Sequence, residues 1–163
     1  MSLEEILNSV MQYETAYITV TGGEPLAQPN CVELLQLFCD RGYQVSLETS
    51  GAIDIAPVDR RVSRVMDLKT PGSGEQGCNF LENLNQLTSH DQLKFVICDR
   101  NDYLWAKEMI IRCELAGRCE VLISPSYGQI NPGELAEWVL EDRLPVRFQL
   151  QLHKLLWGDE PGR

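Results

Sequence analysis

The regular alternation of short β-rich runs with helix-forming segments constrains the fold of this chain more than any other feature. Strands are predicted at 16–20, 43–47, 64–68, 92–98, 120–123 and 146–152. Helices are predicted at the start of the chain, at 29–41, 79–87 and 102–116, and from Asn131 onward. Because parallel strands are joined by helical crossovers, this order predicts an α/β domain with a mainly parallel sheet, open or curved into a partial (β/α) barrel.

The chain begins on a helix rather than on a strand. Ser2 is followed three residues later by Glu5, which is a capping-box arrangement, and apolar residues then repeat at helical spacing. An α/β domain usually opens on a strand, so we expect that the first strand is missing. No linker and no repeat of solenoid length divides residues 1–163, which predicts a single, incomplete domain.

The charge balance excludes some functions and identifies none. The 163 residues contain 14 Lys and Arg against 24 Asp and Glu, which gives a net charge of −10 at neutral pH. Nucleic-acid binding needs a dominant basic face, so no nucleic-acid partner is expected, while a local basic pocket stays compatible with this charge. The sequence has no apolar run near the roughly 18 residues of a membrane span and no signal-peptide pattern, which predicts a cytoplasmic protein without a membrane partner.

Six cysteines are spread along the chain, and the nearest two are 6 residues apart. This spacing excludes a CxxC zinc ribbon and the closely spaced thiolates that bind an iron–sulfur cluster. An even number of cysteines also allows three disulfides. A chain of this length can build its own core, however, and Cys31, Cys39 and Cys113 lie in predicted helices, so reduced structural thiols are favoured.

Polar residues collect at the carboxyl ends of the predicted strands, where ligands bind in parallel α/β sheets. These residues are Thr21, Gly22, Gly23 and Glu24, then Glu48, Thr49 and Ser50, then Asp67 and Lys69, Cys98 and Asp99, Ser124 and Ser126, and finally Gln151, His153 and Lys154. Ligand-capable groups therefore follow every predicted strand. Their concentration at one edge of the sheet predicts a polar small-molecule site.

Each of these groups also has an ordinary structural interpretation. Gly22 and Gly23 can form a tight turn with positive φ, and Glu48 can accept backbone hydrogen bonds at a strand end. Lys69 can be a solvated charge and His153 a satisfied core histidine. Taken one at a time, the residues therefore do not define a function.

Taken together, the polar residues at the strand ends match one kind of ligand. A carboxylate at Glu24 can hold an ammonium, and Lys69 can hold a carboxylate. Glu48 and the hydroxyls of Thr49, Ser50 and Ser73 suit ribose hydroxyls. An amino acid joined to a nucleoside carries all of these groups at once.

Three motifs occur in a fixed order and are followed by a closing His-Lys segment. They are Thr-Gly-Gly-Glu-Pro at 21–25, Glu-Thr-Ser-Gly at 48–51 and Asp-Leu-Lys-Thr-Pro at 67–71, with Gln-Leu-His-Lys at 151–154. The Gly-Gly-Glu-Pro element resembles the radical S-adenosylmethionine (SAM) superfamily, and the ordered set resembles its 7-carboxy-7-deazaguanine synthase (QueE) family. The resemblance covers nearly the whole chain and implies a partial (β/α) barrel of radical SAM type that lacks its first strand.

The resemblance implies a role for each matching position. Gly23 and Glu24 would hold the methionine ammonium of SAM, with Gly23 offering its backbone carbonyl. The ribose or methionine region would be lined by Glu48, Thr49 and Ser50. These five residues are implied cofactor-binding positions.

The resemblance also implies a substrate and a reaction. Lys69 would pair with the SAM carboxylate, with Asp67 standing where a Ser is often found, while Thr21 and His153 would face the pterin, 6-carboxy-5,6,7,8-tetrahydropterin. The implied reaction is a radical ring contraction in queuosine and 7-deazapurine biosynthesis, in which a 5′-deoxyadenosyl radical abstracts a substrate hydrogen and ammonia is lost. The family's cofactors are SAM, a 4Fe-4S cluster and Mg2+.

The chain departs from the family because it has no CxxxCxxC cluster loop. Cys31 and Cys39 are 8 residues apart on a predicted helix and do not replace it. We therefore expect no cluster in this chain and no catalysis by it alone. Met1 is then an internal Met, the start of a truncated product or an expression boundary.

Three interpretations stay open. The first is a fragment of a radical SAM deazaguanine synthase, the second a cluster-less module that binds a nucleotide or pterin without catalysis, and the third an unrelated α/β domain matched by chance. A missing first strand would leave 16–20 as an unpaired sheet edge, which predicts homodimerisation or aggregation through this region.

Overall fold

A computed structural model describes residues 1–158, apart from the side chain of His153. The helices are α1 (Leu3–Met11), α2 (Cys31–Asp40), α3 (Arg100–Arg112), α4 (Pro132–Asp142) and α5 (Leu152–Trp157). The strands are β1 (Tyr17–Val20), β2 (Gln44–Thr49), β3 (Ser63–Asp67), β4 (Gln92–Ile97), β5 (Glu120–Pro125) and β6 (Arg147–Phe148). Short 3-10 helices lie at Pro25–Ala27, Pro71–Ser73, Gln76–Cys78, Leu81–Asn85 and Leu115–Gly117.

The six strands form one sheet in which spatial order equals chain order. Every neighbouring pair is parallel, from β1 beside β2 to β5 beside β6. Such connections are right-handed crossovers almost without exception, and repeating them in one direction places the helices on one side of the sheet. The predicted α/β class with a parallel sheet is confirmed.

The two faces of the sheet differ in polarity. One face packs against the helices and carries buried apolar residues, among them Val45, Leu47, Met66, Leu93 and Phe95. The alternate residues lie on the other side, here called the inner face, and include Thr19, Ser46, Glu48, Asp67 and Lys94. Parallel strands covered on both faces are apolar throughout, so the alternation along β2, β3 and β4 means that the helices cover only one face there, whereas β5 is buried over most of its length.

Two apolar clusters hold the covered face. The first joins α1 and α2 to β1 and β2 around Leu35 and Phe38. The second joins α3 and α4 to β3, β4 and β5 around Phe95, Tyr103 and Leu135. Burial of each such side chain contributes about 1.5–3 kcal/mol, so the strand ends are fixed from behind by the helices.

The capping box predicted for the first helix is present. The Ser2 side chain accepts a hydrogen bond from the Glu5 backbone, and the Glu5 carboxylate accepts one from the Ser2 backbone. The following strand, β1, pairs with β2 and has no other strand partner among residues 1–158. Homodimerisation through this edge stays a prediction.

The end of the described chain differs from the prediction. The run at 146–152 forms only a two-residue strand, Arg147–Phe148, and α5 begins at Leu152. Gln149 still donates to the Ile123 carbonyl, at 2.9 Å, and the helical bond from Leu155 to Gln151 follows. Short apolar runs do not distinguish strand from helix, so the run at 146–152 predicts a longer strand than the structure has.

Two helix bounds also change. The segment predicted at 79–87 is a 3-10 helix over Leu81–Asn85, and α3 begins at Arg100 because Asp99 caps it by accepting from the backbone of Asp102, at 2.9 Å. Asp99, predicted among the ligand-capable groups, is therefore occupied by a helix cap. No helix in the described part of the chain is long and apolar enough to cross a membrane.

Candidate functional site

The loop after β1 turns sharply at two glycines. Gly22 has a φ of +103° and Gly23 a φ of +33°. Side chains disfavour these left-handed conformations, whereas glycine adopts them freely, so the predicted positive-φ turn is confirmed. The turn directs the next residue, Glu24, back towards the carboxyl end of β2.

Glu24 joins two loops through its carboxylate. It accepts hydrogen bonds from the backbone of Leu26 at 3.1 Å, from Thr49 Oγ1 at 2.9 Å and from the backbone of Ser50 at 2.8 Å. The Ser50 hydroxyl is a further donor. Burial raises the pKa of Glu24, but the hydrogen bonds from Ser50, Leu26 and Thr49 outweigh it, and the net pKa lies below its usual value. An ionised Glu24 therefore fixes the Gly-Gly loop against β2.

Glu48 differs from Glu24 in having a largely open carboxylate. It is exposed on the inner face, and its partner is the Thr21 hydroxyl, at 3.4 Å. Most of its acceptor capacity is therefore free for a ligand. The resemblance implies a ligand contact for both glutamates, Glu24 with the SAM ammonium and Glu48 with the ribose or methionine region. The structure shows that the Glu24 carboxylate is engaged within the protein and that the Glu48 carboxylate is accessible.

A second carboxylate, Asp102 in the first turn of α3, fixes the loop after β3. Its side chain accepts from the Gly72 backbone at 2.7 Å, from Thr70 Oγ1 at 3.0 Å and from the Cys98 backbone at 3.1 Å. The residue is 1% exposed. Sequence reasoning missed Asp102 because acidic residues are common in the first turn of any helix.

Lys69 lies on this same loop and pairs with Asp67. The Lys69 Nζ to Asp67 Oδ2 distance is 2.9 Å, and both side chains remain partly exposed. The Asn79 amide fixes the Lys69 backbone with bonds of 3.0 and 2.9 Å. Asp67 Oδ1 and Ser124 Oγ, in contrast, are buried without a hydrogen-bond partner in the described structure. Buried polar atoms are rarely left unpaired, so these two mark positions where a ligand or water is expected.

The predicted positions converge on one pocket. A cavity of about 120 Å³ is lined by Thr21, Gly23, Glu48, Thr49, Ser50, Val65, Asp67, Lys69 and Lys94. Every predicted cofactor residue except Glu24 is among them, together with the predicted substrate residue Thr21. A cavity of about 390 Å³ shares Asp67 and Lys69 and continues past Ser73, Cys98, Ser126 and Gln151. These two adjoining cavities are here called the groove, and their size suits a small organic ligand.

A third cavity lies on the other side of the Gly-Gly loop. It has a volume of about 460 Å³, and its walls include Glu24, the start of α1, and Cys31 at the start of α2. The loop at 21–24 therefore separates this cavity from the groove. Glu24 reaches the groove only through its partners Thr49 and Ser50.

The last two predicted elements of the site have different outcomes. Gln151 lines the groove and brings the start of α5 to its rim. The backbone of His153 belongs to α5, while its side chain lies outside the described structure. A substrate contact by His153 therefore stays a prediction.

The described residues do not fit a 4Fe-4S cluster. No group of three or more His, Cys, Asp or Glu side chains within residues 1–158 is arranged to hold a metal ion. Cys31 and Cys39 are buried in α2, and all six cysteines are free. Burial, followed by the nearby charge of Glu24, raises the pKa of Cys31, which opposes the thiolate form that binds iron.

No family model matches the chain, whereas individual relatives do. It is 43% identical to the 7-carboxy-7-deazaguanine synthase of Chlorobaculum tepidum over 98% of its own length and 74% of that protein. The chain belongs to the 7-carboxy-7-deazaguanine synthase family. The relative from Koribacter versatilis is 39% identical over 98% of this chain and 77% of its own length. The family assignment made from the ordered motifs is thus confirmed.

Solved structures agree on the fold of this QueE-family chain. QueE from Escherichia coli superposes with a TM-score of 0.72 at 17% identity, covering 93% of this chain and 64% of that protein. Streptococcus suis SuiB bound to S-adenosylmethionine gives a TM-score of 0.61 at 12% identity, over 91% of this chain and 40% of SuiB. The chain spans about two thirds to three quarters of the QueE-family proteins it matches. The radical SAM type of fold is confirmed.

Proposed function

We propose that this chain carries the SAM-binding and substrate-binding walls of a 7-carboxy-7-deazaguanine synthase, which contracts the ring of 6-carboxy-5,6,7,8-tetrahydropterin. The convergence of three strand ends on one groove carries the proposal, because residues from 21 to 69 line it together. Membership of the QueE family supports the same reaction.

The groove contains hydrogen-bond donors and acceptors that match the polar groups of SAM. Lys69 and Gly23 both line the smaller cavity, where Lys69 offers an ammonium for the SAM carboxylate and Gly23 a backbone carbonyl for the SAM ammonium. Glu48 accepts from ribose hydroxyls through its largely open carboxylate. The family's hydrogen-abstracting radical would come from SAM only if a reduced cluster were bound beside it, and the residues named here would bind and orient SAM.

The protein groups themselves bind and orient. Glu24 holds Thr49, Ser50 and the Gly-Gly loop in place, so the Gly23 carbonyl keeps its direction when a ligand enters. Thr21 is held by Glu48 at 3.4 Å and, with His153, is proposed to face the pterin. A role for Mg2+ rests on the family resemblance alone.

SAM binding tests the proposed site directly. The chain is expected to bind SAM weakly, in the absence of cluster iron, and Lys69→Met is expected to lower this affinity at least tenfold, since a charge-assisted bond contributes roughly 1.5–3 kcal/mol. Isothermal titration calorimetry with millimolar SAM measures both proteins. Lys107→Met, which removes the same charge from α3, is the control and should bind like the wild type. Equal affinity in the Lys69→Met protein would remove Lys69 from the site.

The iron–sulfur prediction has its own test. We propose that the 163 residues alone bind no 4Fe-4S cluster and do not catalyse the reaction. Anaerobic reconstitution with iron and sulfide should give no stable 4Fe-4S absorption near 400 nm, because six dispersed cysteines supply no three-thiolate site. A stable cluster with full iron content would contradict this.

A further inference from the structure

Lys94 occupies a position in the groove that no sequence motif assigns. It is the third residue of β4, between Leu93 and Phe95, which are both fully buried under the helices. Its own side chain therefore lies on the inner face. There it lines the smaller cavity of the groove together with Thr21, Glu48 and Lys69.

The ammonium of Lys94 has no protein anion. Asp67 is its register neighbour on β3, but the Asp67 carboxylate is bound to Lys69, at 2.9 Å. No hydrogen bond or ion pair joins the Lys94 ammonium to any residue in the described range 1–158, although the Lys94 backbone carbonyl accepts from Leu68. Since this side chain is half-buried, it has lost part of its hydration without a compensating partner. A ligand anion over β4 would supply that partner.

Lys94 and Lys69 lie at different levels of the groove. Lys69 follows the carboxyl end of β3, whereas Lys94 is beside Asp67, the last residue of that strand. The second neighbour of Lys94 is the buried Leu122 of β5, which leaves an apolar flank on that side. A ligand carboxylate above the strands therefore reaches Lys94, while one at the rim reaches Lys69.

We propose that Lys94 binds the carboxylate of the pterin substrate, so that the groove holds two carboxylates on two lysines. The inference rests on the proposed function, which assigns the SAM carboxylate to Lys69. The relatives are named as synthases of 7-carboxy-7-deazaguanine, a product that carries a carboxyl group on its ring. Lys94 is the cation in the smaller cavity that has no protein partner among the described residues, and it thereby selects a carboxylated ring over an uncarboxylated one.

Two pterins and four proteins, the wild type and three variants, test the inference. Anaerobic calorimetry on the whole chain compares 6-carboxy-5,6,7,8-tetrahydropterin with 5,6,7,8-tetrahydropterin, which lacks the carboxyl group. Lys94→Met keeps most of the side-chain length and removes the charge, Lys94→Arg keeps the charge, and Lys107→Met is the matched control. The wild type should prefer the carboxylated pterin at least tenfold, and Lys94→Met should abolish that preference while its affinity for the uncarboxylated pterin changes less than twofold.

The outcomes separate the inference from the proposed function. Two results for Lys94→Met would overturn the role of Lys94: an unchanged preference for the carboxylated pterin, or an equal loss of affinity for both pterins. Neither result would contradict the assignment of a pterin as the substrate. Failure of the wild type to bind either pterin would overturn the substrate assignment and the inference together. Near-wild-type preference in Lys94→Arg, with unchanged SAM affinity in Lys94→Met, would support carboxylate recognition by charge.

Discussion

Asp102→Asn is expected to release the loop at 69–73 and weaken SAM binding at least tenfold. The carboxylate accepts three hydrogen bonds from Gly72, Thr70 and Cys98, and both of its oxygens are used. An Asn side chain has one oxygen and a donating amide, so at least one buried donor loses its acceptor. Leaving such a donor unsatisfied costs about 1–3 kcal/mol.

Hydrogen exchange detects this change independently of ligand. The backbone amides of Gly72 and Cys98 donate to Asp102, and both should exchange at least tenfold faster in the variant. Gly72→Ala disrupts the same contact through the other residue, because a Cβ atom on Gly72 would lie 2.6 Å from Asp102 Oδ2. Both variants should reduce SAM affinity in parallel with the loss of protection. Normal protection and normal SAM affinity in both would show that Asp102 does not position the Lys69 loop.

Asp91→Asn is expected to lower the free energy of unfolding by about 3–5 kcal/mol and leave the groove unchanged. Asp91 is 1% exposed and lies at the amino end of β4, opposite to the site. It binds Arg64 through Nε at 2.9 Å and Nη2 at 2.5 Å, and it also accepts from the backbone and hydroxyl of Thr88. The substitution leaves the buried Arg64 charge without its counter-ion. Urea unfolding measures the loss.

The ion pair of Asp91 and Arg64 also makes the free energy of unfolding depend on pH in a defined way. Burial raises the pKa of Asp91, but hydrogen bonds from Arg64 and Thr88 outweigh it, so the folded-state pKa lies below the usual value near 3.8. A depressed carboxyl pKa contributes stability above the unfolded-state pKa and loses it as the pH falls through the folded-state pKa. The difference in unfolding free energy between wild type and Asp91→Asn should therefore be full at pH 7 and shrink below about pH 4.

Asp91→Asn also serves as the control for Asp102→Asn, since each removes a buried carboxylate, Asp91 directly before β4 and Asp102 in the helix that follows it. If the two variants lose equal free energy of unfolding but Asp102→Asn loses more SAM affinity than Asp91→Asn, the effect on binding belongs to the loop at 69–73. A constant stability difference from pH 7 to pH 2 would contradict the ionised pair of Asp91 and Arg64.

Elements governed by local periodicity were predictable. The capping box at Ser2 and Glu5, the positive-φ turn at Gly22 and Gly23 and most strand positions depend on residues near one another in sequence. The final strand was the main difference, because the short apolar run around Leu150 and Leu152 satisfies both strand and helix patterns.

The sequence by itself determined the α/β order, the parallel sheet and the strand ends at which polar residues gather, since periodicity and connection rules act along the chain. Only the tertiary structure decided what each polar residue does. Glu24 is engaged by residues 25 and 26 positions away, Asp102 by a hydroxyl 32 positions away, and Lys94 is left unpaired beside Asp67. Hydrogen-bond partners of this kind depend on which strand ends lie close together in space. The spacing of residues along the chain does not specify which individual side chains come into contact there.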